Sequence, residues 1–207
     1  MFEYMKVDAK IYLSEQELQI AGNKDWILTK SKITNAVYQV FGAFAESIHA
    51  ISLSKKDQLP NEILSISPKI YKGENYQQFP YVLLDYPRLF DKEKILAIRT
   101  MFWWGHYFSI CLLVQGSYKD ELQERIANRL INLDDTFSIG TSHSIWEHEI
   151  NHKNFVPVQQ YSIAEWKQLW MDRNFIKLAK TYPIDAWQNL PALLNADLLQ
   201  ILKLLED

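Results

Sequence analysis

One short run of residues carries the side chains of a metal site. His148, Glu149 and His152 fall in the pattern H-E-x-x-H. On a helix, the two imidazoles would lie one turn apart on the same face and share a zinc ion, while Glu149 would take a proton from zinc-bound water. The pattern raises the hypothesis of a zinc-dependent hydrolase, with His148 and His152 as ligands and Glu149 as general base.

Over these five residues the chain resembles the zincin metallopeptidases. The resemblance implies a helix across the motif and a third ligand downstream. Glu165 is closer to the motif than the family's usual glutamate, and Asp172 is the alternative. The chain departs from the family's pattern just after the second histidine. Lys153 and Asn154 stand where the family keeps uncharged and then hydrophobic residues.

The local pattern around the motif predicts a strand instead of a helix. Residues 144–150 alternate in a strand-like way, and Pro157 leaves little length for a helix. In a strand, a rise of about 3.3 Å per residue separates the two histidines by roughly 13 Å, too far to share one ion. A helix at 146–154 would favour the zinc site, and a strand would exclude it. We predict no cofactor unless the zinc hypothesis holds.

A second group of candidate binding residues combines charge with aromatic rings. Arg99 interrupts an otherwise apolar strand, and a buried cation needs a carboxylate or a bound anion. Asp85 is the carboxylate candidate by sequence, and a structural ion pair and an anion site both remain open. His106 belongs to the same group, and Trp103, Trp104, Tyr107 and Phe108 could line a ligand pocket or simply belong to the core.

Composition predicts one intracellular domain spanning residues 1–207. A formal net charge of -3 provides no concentrated positive field, so we predict neither nucleic acid nor membrane as a partner. The single cysteine, Cys111, lies in an apolar run and is expected to be a buried, unreactive thiol. Charged residues interrupt Met1 to Leu13, so no signal peptide is indicated and the predicted location is cytoplasmic.

The first half of the chain predicts two helices and four strands. Ser14 and Glu17 form a capping-box signal for a short helix that Gly22 closes. A longer helix follows with apolar residues from Ile33 to Ile51, and we expect His49 to be solvated on its polar face. Strands are predicted at 68–72, 79–85, 94–103 and 107–115, with surface connections at 52–62 and 72–78. The last two strands form a hairpin, and the strand 94–103 is expected to be central because both its faces are apolar.

The second half predicts three more helices and three short strands. One helix begins at Ser117, and another begins at the capping box of Ser162 and Glu165 and ends before Pro183. Strands are predicted at 136–139, 144–150 and 155–158. The leucines of a final helix at 190–205 cover more than one stripe. That helix is therefore either well buried or presents a second face to a partner.

These elements predict an α+β fold, in which a mostly antiparallel sheet of about five or six strands packs against the long N-terminal helix and the C-terminal helices. The leading functional hypothesis is a non-catalytic domain that binds a small molecule or a protein. It would use either the aromatic hairpin with Arg99 or the C-terminal leucines, through which a homo-oligomer could also form. The zinc-dependent hydrolase is the alternative.

Overall fold

A computed structural model describes residues 12–206. Residues 1–11, from which the cytoplasmic location is partly inferred, lie outside this range. The chain separates into two compact units, one up to Ala36 and one from Val37 onward. The assignment of 1–207 to a single domain stays a prediction.

Helices and strands occupy most of the described chain. The helices are α1 (Glu15–Gly22), α2 (Lys24–Ser54), α3 (Ser117–Arg129), α4 (Ile163–Met171) and α5 (Leu190–Leu205). The strands are β1 (Lys69–Tyr76), β2 (Phe79–Phe90), β3 (Ile95–Trp103), β4 (Tyr107–Gln115), β5 (Ser138–Gly140), β6 (Phe155–Pro157) and β7 (Phe175–Tyr182). The capping boxes predicted at Ser14 and Ser162 are both present.

The strands form one antiparallel sheet of seven strands in the order β1-β2-β3-β4-β7-β5-β6. This confirms the predicted α+β class, with seven strands in place of five or six. All nine residues of β3 are buried, and β3 lies between β2 and β4 as expected for a central strand. The hairpin of β3 and β4 pairs Trp103 with Tyr107 at its closed end.

The two faces of the sheet are covered differently. On the helix-covered face, Leu96, Ile98 and Phe102 share a core with apolar side chains from α2, α3, α4 and α5. Alternate residues of β3 point to the opposite face, because successive side chains of a strand alternate. There Ala97 packs with Ile145 of the irregular segment 141–154, which we call the covering loop.

The first strand is longer than predicted, because the glycine at its centre has a packing role. Residues 72–78 are predicted to be a surface connection, yet β1 continues to Tyr76. Gly73 pairs with Tyr81, and a Cβ at Gly73 would lie 2.3 Å from the tyrosine ring. A glycine within a strand often marks such a close approach, so Gly73 makes room for the ring and does not end the strand.

The helix capped by Ser162 ends before Pro183 as predicted, but the strand that follows it was not predicted. Helix α4 ends at Met171, and β7 begins at Phe175. Between them, Asp172 and Asn174 disfavour a helix interior because their side chains compete for backbone hydrogen bonds. The strand pairs with β4 over its whole length, and this long-range pairing decides its conformation.

Most leucines of α5 are buried in the core. Of the two alternatives for this helix, the structure therefore supports the one in which it is well buried. Leu190, Leu194, Leu198 and Leu202 are buried, while Leu199 is 41% exposed. A homo-oligomer through α5 stays a prediction, but most of the leucines that suggested it are buried in the core of the single chain. No helix within residues 12–206 combines the length and apolarity needed to cross a membrane.

A buried ionic cluster ties α5 to the sheet. Lys180 of β7 donates from Nζ to Oδ1 of Asp197 at 2.9 Å and to Oδ2 of Asp134 at 2.8 Å. The hydroxyl of Tyr182 donates to Oδ2 of Asp197 at 2.6 Å. Asp197 is only 2% exposed, so its charge depends on these donors for stabilisation.

Replacing Asp197 with alanine should therefore lower the free energy of unfolding by about 3 kcal/mol, because one buried acceptor of both Lys180 and Tyr182 is lost. Urea denaturation measures this change. Asp185→Ala removes an exposed carboxylate and should change stability by less than about 0.5 kcal/mol. Equal losses in the two variants would show that the cluster does not hold α5 in place.

Candidate functional site

Asp85 and Arg99 form an ion pair on the face of the sheet beneath the covering loop. They are directly paired in the register of β2 and β3. Arg99 donates from Nε to Oδ1 of Asp85 at 2.7 Å and from Nη2 to Oδ2 at 2.8 Å. Arg99 is 7% exposed and Asp85 is 2% exposed. Asp85, the carboxylate candidate named from the sequence, is thus the partner of Arg99 in the structure.

Further groups complete the hydrogen bonding of this pair. The hydroxyl of Tyr71 donates to Oδ2 of Asp85 at 3.1 Å and accepts from Nη2 of Arg99 at 3.1 Å. Burial raises the pKa of Tyr71 to about 12, so the hydroxyl keeps its proton. The Arg99 guanidinium also lies 5.1 Å from the ring centre of Trp146 and 5.7 Å from that of Phe90. Arg99 is therefore occupied by internal partners on several sides.

His148 joins Arg99 to a buried lysine. Nε2 of His148 lies 3.0 Å from Nη1 of Arg99, and Nδ1 lies 3.2 Å from Nζ of Lys177. Lys177 also donates to the backbone oxygens of Ile145 and Glu147. Burial, followed by the charges of Lys177 and Arg99, holds the pKa of His148 well below its usual value, so the imidazole is neutral.

The hydrogen bonding of His148 makes it easier for Lys177 to lose its proton. Arginine only donates, so Nε2 of His148 must be the acceptor and Nδ1 must carry the single imidazole proton. That proton points at Nζ of Lys177, which can accept it only as a neutral amine. Burial lowers the pKa of Lys177 to about 8, in the same direction as the hydrogen-bond geometry. We call Asp85, Arg99, His148 and Lys177 the buried proton chain.

The covering loop is neither the helix of the zinc hypothesis nor the predicted strand. Residues 144–150 form a turn and irregular backbone, so the predicted strand is wrong. The backbone N–H of His148 donates to the hydroxyl of Tyr76 at 2.8 Å, and that of Ile150 donates to the hydroxyl of Tyr107 at 2.7 Å. These tyrosine hydroxyls replace the neighbouring strand as hydrogen-bond partners.

The three residues of the H-E-x-x-H motif have different surroundings. His148 is buried with both ring nitrogens next to cationic side chains, whereas His152 is exposed. Glu149 accepts a hydrogen bond from the amide of Gln77 at 3.2 Å. Within residues 12–206, no group of three or more His, Cys, Asp or Glu side chains is arranged to hold a metal ion. The zinc hypothesis gains no support from this geometry.

The aromatic residues of the hairpin divide between the two faces of the sheet. The rings of Trp103 and His106 are stacked with their centres 3.6 Å apart and an interplanar angle of 7°. Trp104 packs on the helix-covered side against Phe102, with ring centres 5.1 Å apart. The predicted binding residues therefore form separate contacts. Asp85 and Arg99 meet, as do Trp103 and His106, while Trp104 lies elsewhere.

A cleft of about 730 Å³ lies at α2 and the first two strands. We call it the α2 cleft. Its apolar lining comes from Tyr38, Gly42, Ala45, Pro68 and Ile70, and its polar lining from Glu46, His49 and Tyr86. Nδ1 of His49 lies 2.6 Å from the hydroxyl oxygen of Tyr86. Small-molecule sites commonly combine such apolar walls with a few convergent polar groups.

Sequence reasoning missed the parts of both sites that come from distant elements. His49 is exposed, as expected from its place on the polar face of α2, but the sequence did not indicate that β2 brings the Tyr86 hydroxyl to it. Lys177 lies in a segment where the sequence predicted no strand, and nothing indicated its burial against His148. Cys111 is buried as predicted, and burial raises the pKa of its thiol.

Comparison of the chain with known protein families, curated proteins and solved structures finds no match.

Replacing Arg99 with methionine should lower the free energy of unfolding by about 4 kcal/mol, because the carboxylate of Asp85 would remain buried without its cation. Chemical denaturation measures this loss. The double variant Arg99→Met with Asp85→Leu removes both charges and should recover part of the stability. Arg88→Met is the matched control, since Arg88 donates from Nε to the backbone oxygen of Ser67 near the surface. If both single variants lost the same stability, the buried pair would not be a structural requirement.

The lowered pKa of Lys177 predicts an unusual alkaline dependence of stability. Between pH 8 and 10.5 the unfolded chain binds more protons at this lysine than the folded chain, so the free energy of unfolding should rise with pH. The full rise attributable to Lys177 is about 3 kcal/mol. Denaturation curves at pH 8 and 9 measure about 1 kcal/mol of it. The measurement stays below pH 10 because raised tyrosine pKa values act in the opposite direction above it.

The Lys177→Met variant isolates this contribution. It should lack the rise, while Lys153→Met, which removes an exposed lysine, should keep it. A rise of the same size in Lys177→Met as in the wild type would mean that the lysine is not the titrating group.

Proposed function

We propose that this chain is a non-catalytic domain that binds a small molecule in the α2 cleft. The observation that carries the proposal is the pairing of His49 with Tyr86 at the polar part of an otherwise apolar cleft. Arg99, the cation of the sequence-based binding hypothesis, is occupied by Asp85 and His148, whereas the α2 cleft has open volume next to polar groups.

The proton positions of the pair favour binding over catalysis. Burial raises the pKa of Tyr86, so its hydroxyl stays protonated and able to donate to Nδ1 of His49. In the tautomer that accepts this hydrogen bond, the proton of the neutral imidazole is on Nε2, which is a donor and not a base. His49 therefore offers a ligand one hydrogen bond and has no free lone pair with which to abstract a proton.

The charge of the lining restricts the ligand class. Glu46 contributes a negative charge to the lining of the cleft. The described lining residues include no lysine or arginine. An anionic ligand would be repelled by this carboxylate and would find no cation to pair with. We therefore infer an uncharged or cationic ligand with an apolar body and a polar group that both accepts and donates hydrogen bonds. His49 would donate to it and Glu46 would accept from it.

Three probes of nearly equal shape test this ligand class. Benzamide is neutral, benzamidine is cationic and benzoate is anionic, and all three carry the same aromatic ring. We expect benzamide and benzamidine to bind with dissociation constants on the order of 1 mM and benzoate at least tenfold more weakly. Amide chemical shifts of Gly42 and Ala45 during NMR titration measure the binding.

Two variants locate the binding within the cleft. Gly42→Leu should abolish it, because a Cβ at Gly42 meets no atom within 4 Å and the new side chain has room to occupy the cleft. Gly22→Leu, at a second helical glycine with open surroundings, is the control. His49→Phe should weaken binding of benzamide by roughly threefold to tenfold through loss of one hydrogen bond. Unchanged binding in Gly42→Leu, or benzoate binding as tightly as benzamide, would refute the proposal.

A further inference from the structure

The N-terminal helices expose an unusual concentration of apolar side chains. Every residue from Tyr12 to Thr29 is exposed. Sixteen large hydrophobic residues are exposed in the described part of the chain, and seven of them fall within this stretch. They are Tyr12, Leu13, Leu18, Ile20, Trp26, Ile27 and Leu28, and we call them the N-terminal surface. Single exposed hydrophobic residues are ordinary, but such a concentration marks an interaction surface.

Helix α1 and the first part of α2 are without the burial that normally stabilises a helix. Helix α1 has no buried residue, and the first buried residue of α2 is Val37 although the helix begins at Lys24. Helices as short as α1 are marginal in water unless an apolar face is packed. The N-terminal surface therefore needs a partner outside its own two helices.

We propose that the partner is the same surface of a second copy of this chain. Helix α1 carries Glu15 and Glu17 and no basic residue, which gives it a net charge of -2. The start of α2 carries Lys24, Asp25, Lys30 and Lys32, which gives residues 24–36 a net charge of +2. A twofold axis would place α1 of each copy against α2 of the other, so that opposite charges meet twice.

The balance of charge and the size of the surface both fit self-association. The two segments sum to zero net charge, so the surface lacks the positive field that an anionic membrane or a nucleic acid would require. Seven large side chains, each roughly half exposed, offer on the order of 600 Å² of apolar area per copy. A stable interface of standard size buries about 800 Å² per partner, which this apolar centre and its charged rim together can supply. Trp26, 52% exposed, is the natural anchor.

This pairing is independent of ligand binding in the α2 cleft, and sedimentation velocity of the full chain tests it directly. We expect a dimer at micromolar concentration for the wild type. Ile27→Glu with Leu28→Glu should convert it to a monomer with unchanged circular dichroism, because neither side chain is buried in the single chain. Ile131→Glu is the matched control, since Ile131 is 77% exposed outside the N-terminal surface, and it should remain dimeric. A monomeric wild type, or a dimer that survives the double substitution, would overturn the proposal.

A charge-exchange experiment tests the predicted pairing of α1 with α2. Glu15→Lys with Gln16→Lys makes both segments positive while keeping the Glu17 side chain that caps α1. Lys24→Glu with Lys32→Glu makes both segments negative. Each variant should dimerise at least tenfold more weakly than the wild type, and an equimolar mixture should recover the affinity because opposite charges face each other again. Failure of the mixture to recover would exclude this arrangement of the two helices.

Discussion

Arg99 lies in the central strand and faces away from the helices, so its charge has to be neutralised and hydrogen-bonded inside the fold. Asp85, directly opposite in the register of β2, provides the negative charge. The hydroxyl of Tyr71 on β1 accepts a hydrogen bond from Nη2 of Arg99, and Nε2 of His148 on the covering loop accepts one from Nη1. One buried cation thus determines the chemistry of four different elements, because an unpaired charge at this depth would cost several kcal/mol.

The buried proton chain also explains why the covering loop is irregular. In a strand at this position, the backbone N–H and C=O groups would form hydrogen bonds with a neighbouring strand. The loop instead offers the carbonyl groups of Ile145 and Glu147 to Lys177, and its N–H groups to the hydroxyls of Tyr76 and Tyr107. The polar groups beneath the loop and the backbone of the loop therefore satisfy each other, as buried polar groups must. A regular strand would leave part of the buried proton chain without hydrogen-bond partners.

The α2 cleft lies in a different physical environment from the buried proton chain. Its lining comes from α2, β1, β2 and the residue before β1, which hold their side chains through the main hydrophobic core. A site built on a helix and strands is held more rigidly than one on a loop, which suits recognition by a few hydrogen bonds. The core thus separates two kinds of polar residue. Those on the loop-covered face stabilise the fold, while His49 and Tyr86 line open volume.

The sequence by itself determined the α+β class, the hairpin of β3 and β4, both capping boxes and the pairing candidate Asp85 for Arg99. These features follow from short-range periodicity, caps and the cost of burying a lone charge. Tertiary structure alone decided that 175–182 pairs with β4 as a strand, that His148 is enclosed between two cations, and that Tyr86 reaches His49. Each of these depends on contacts between residues far apart in sequence, and local patterns carry no information about which distant groups will satisfy a buried polar atom.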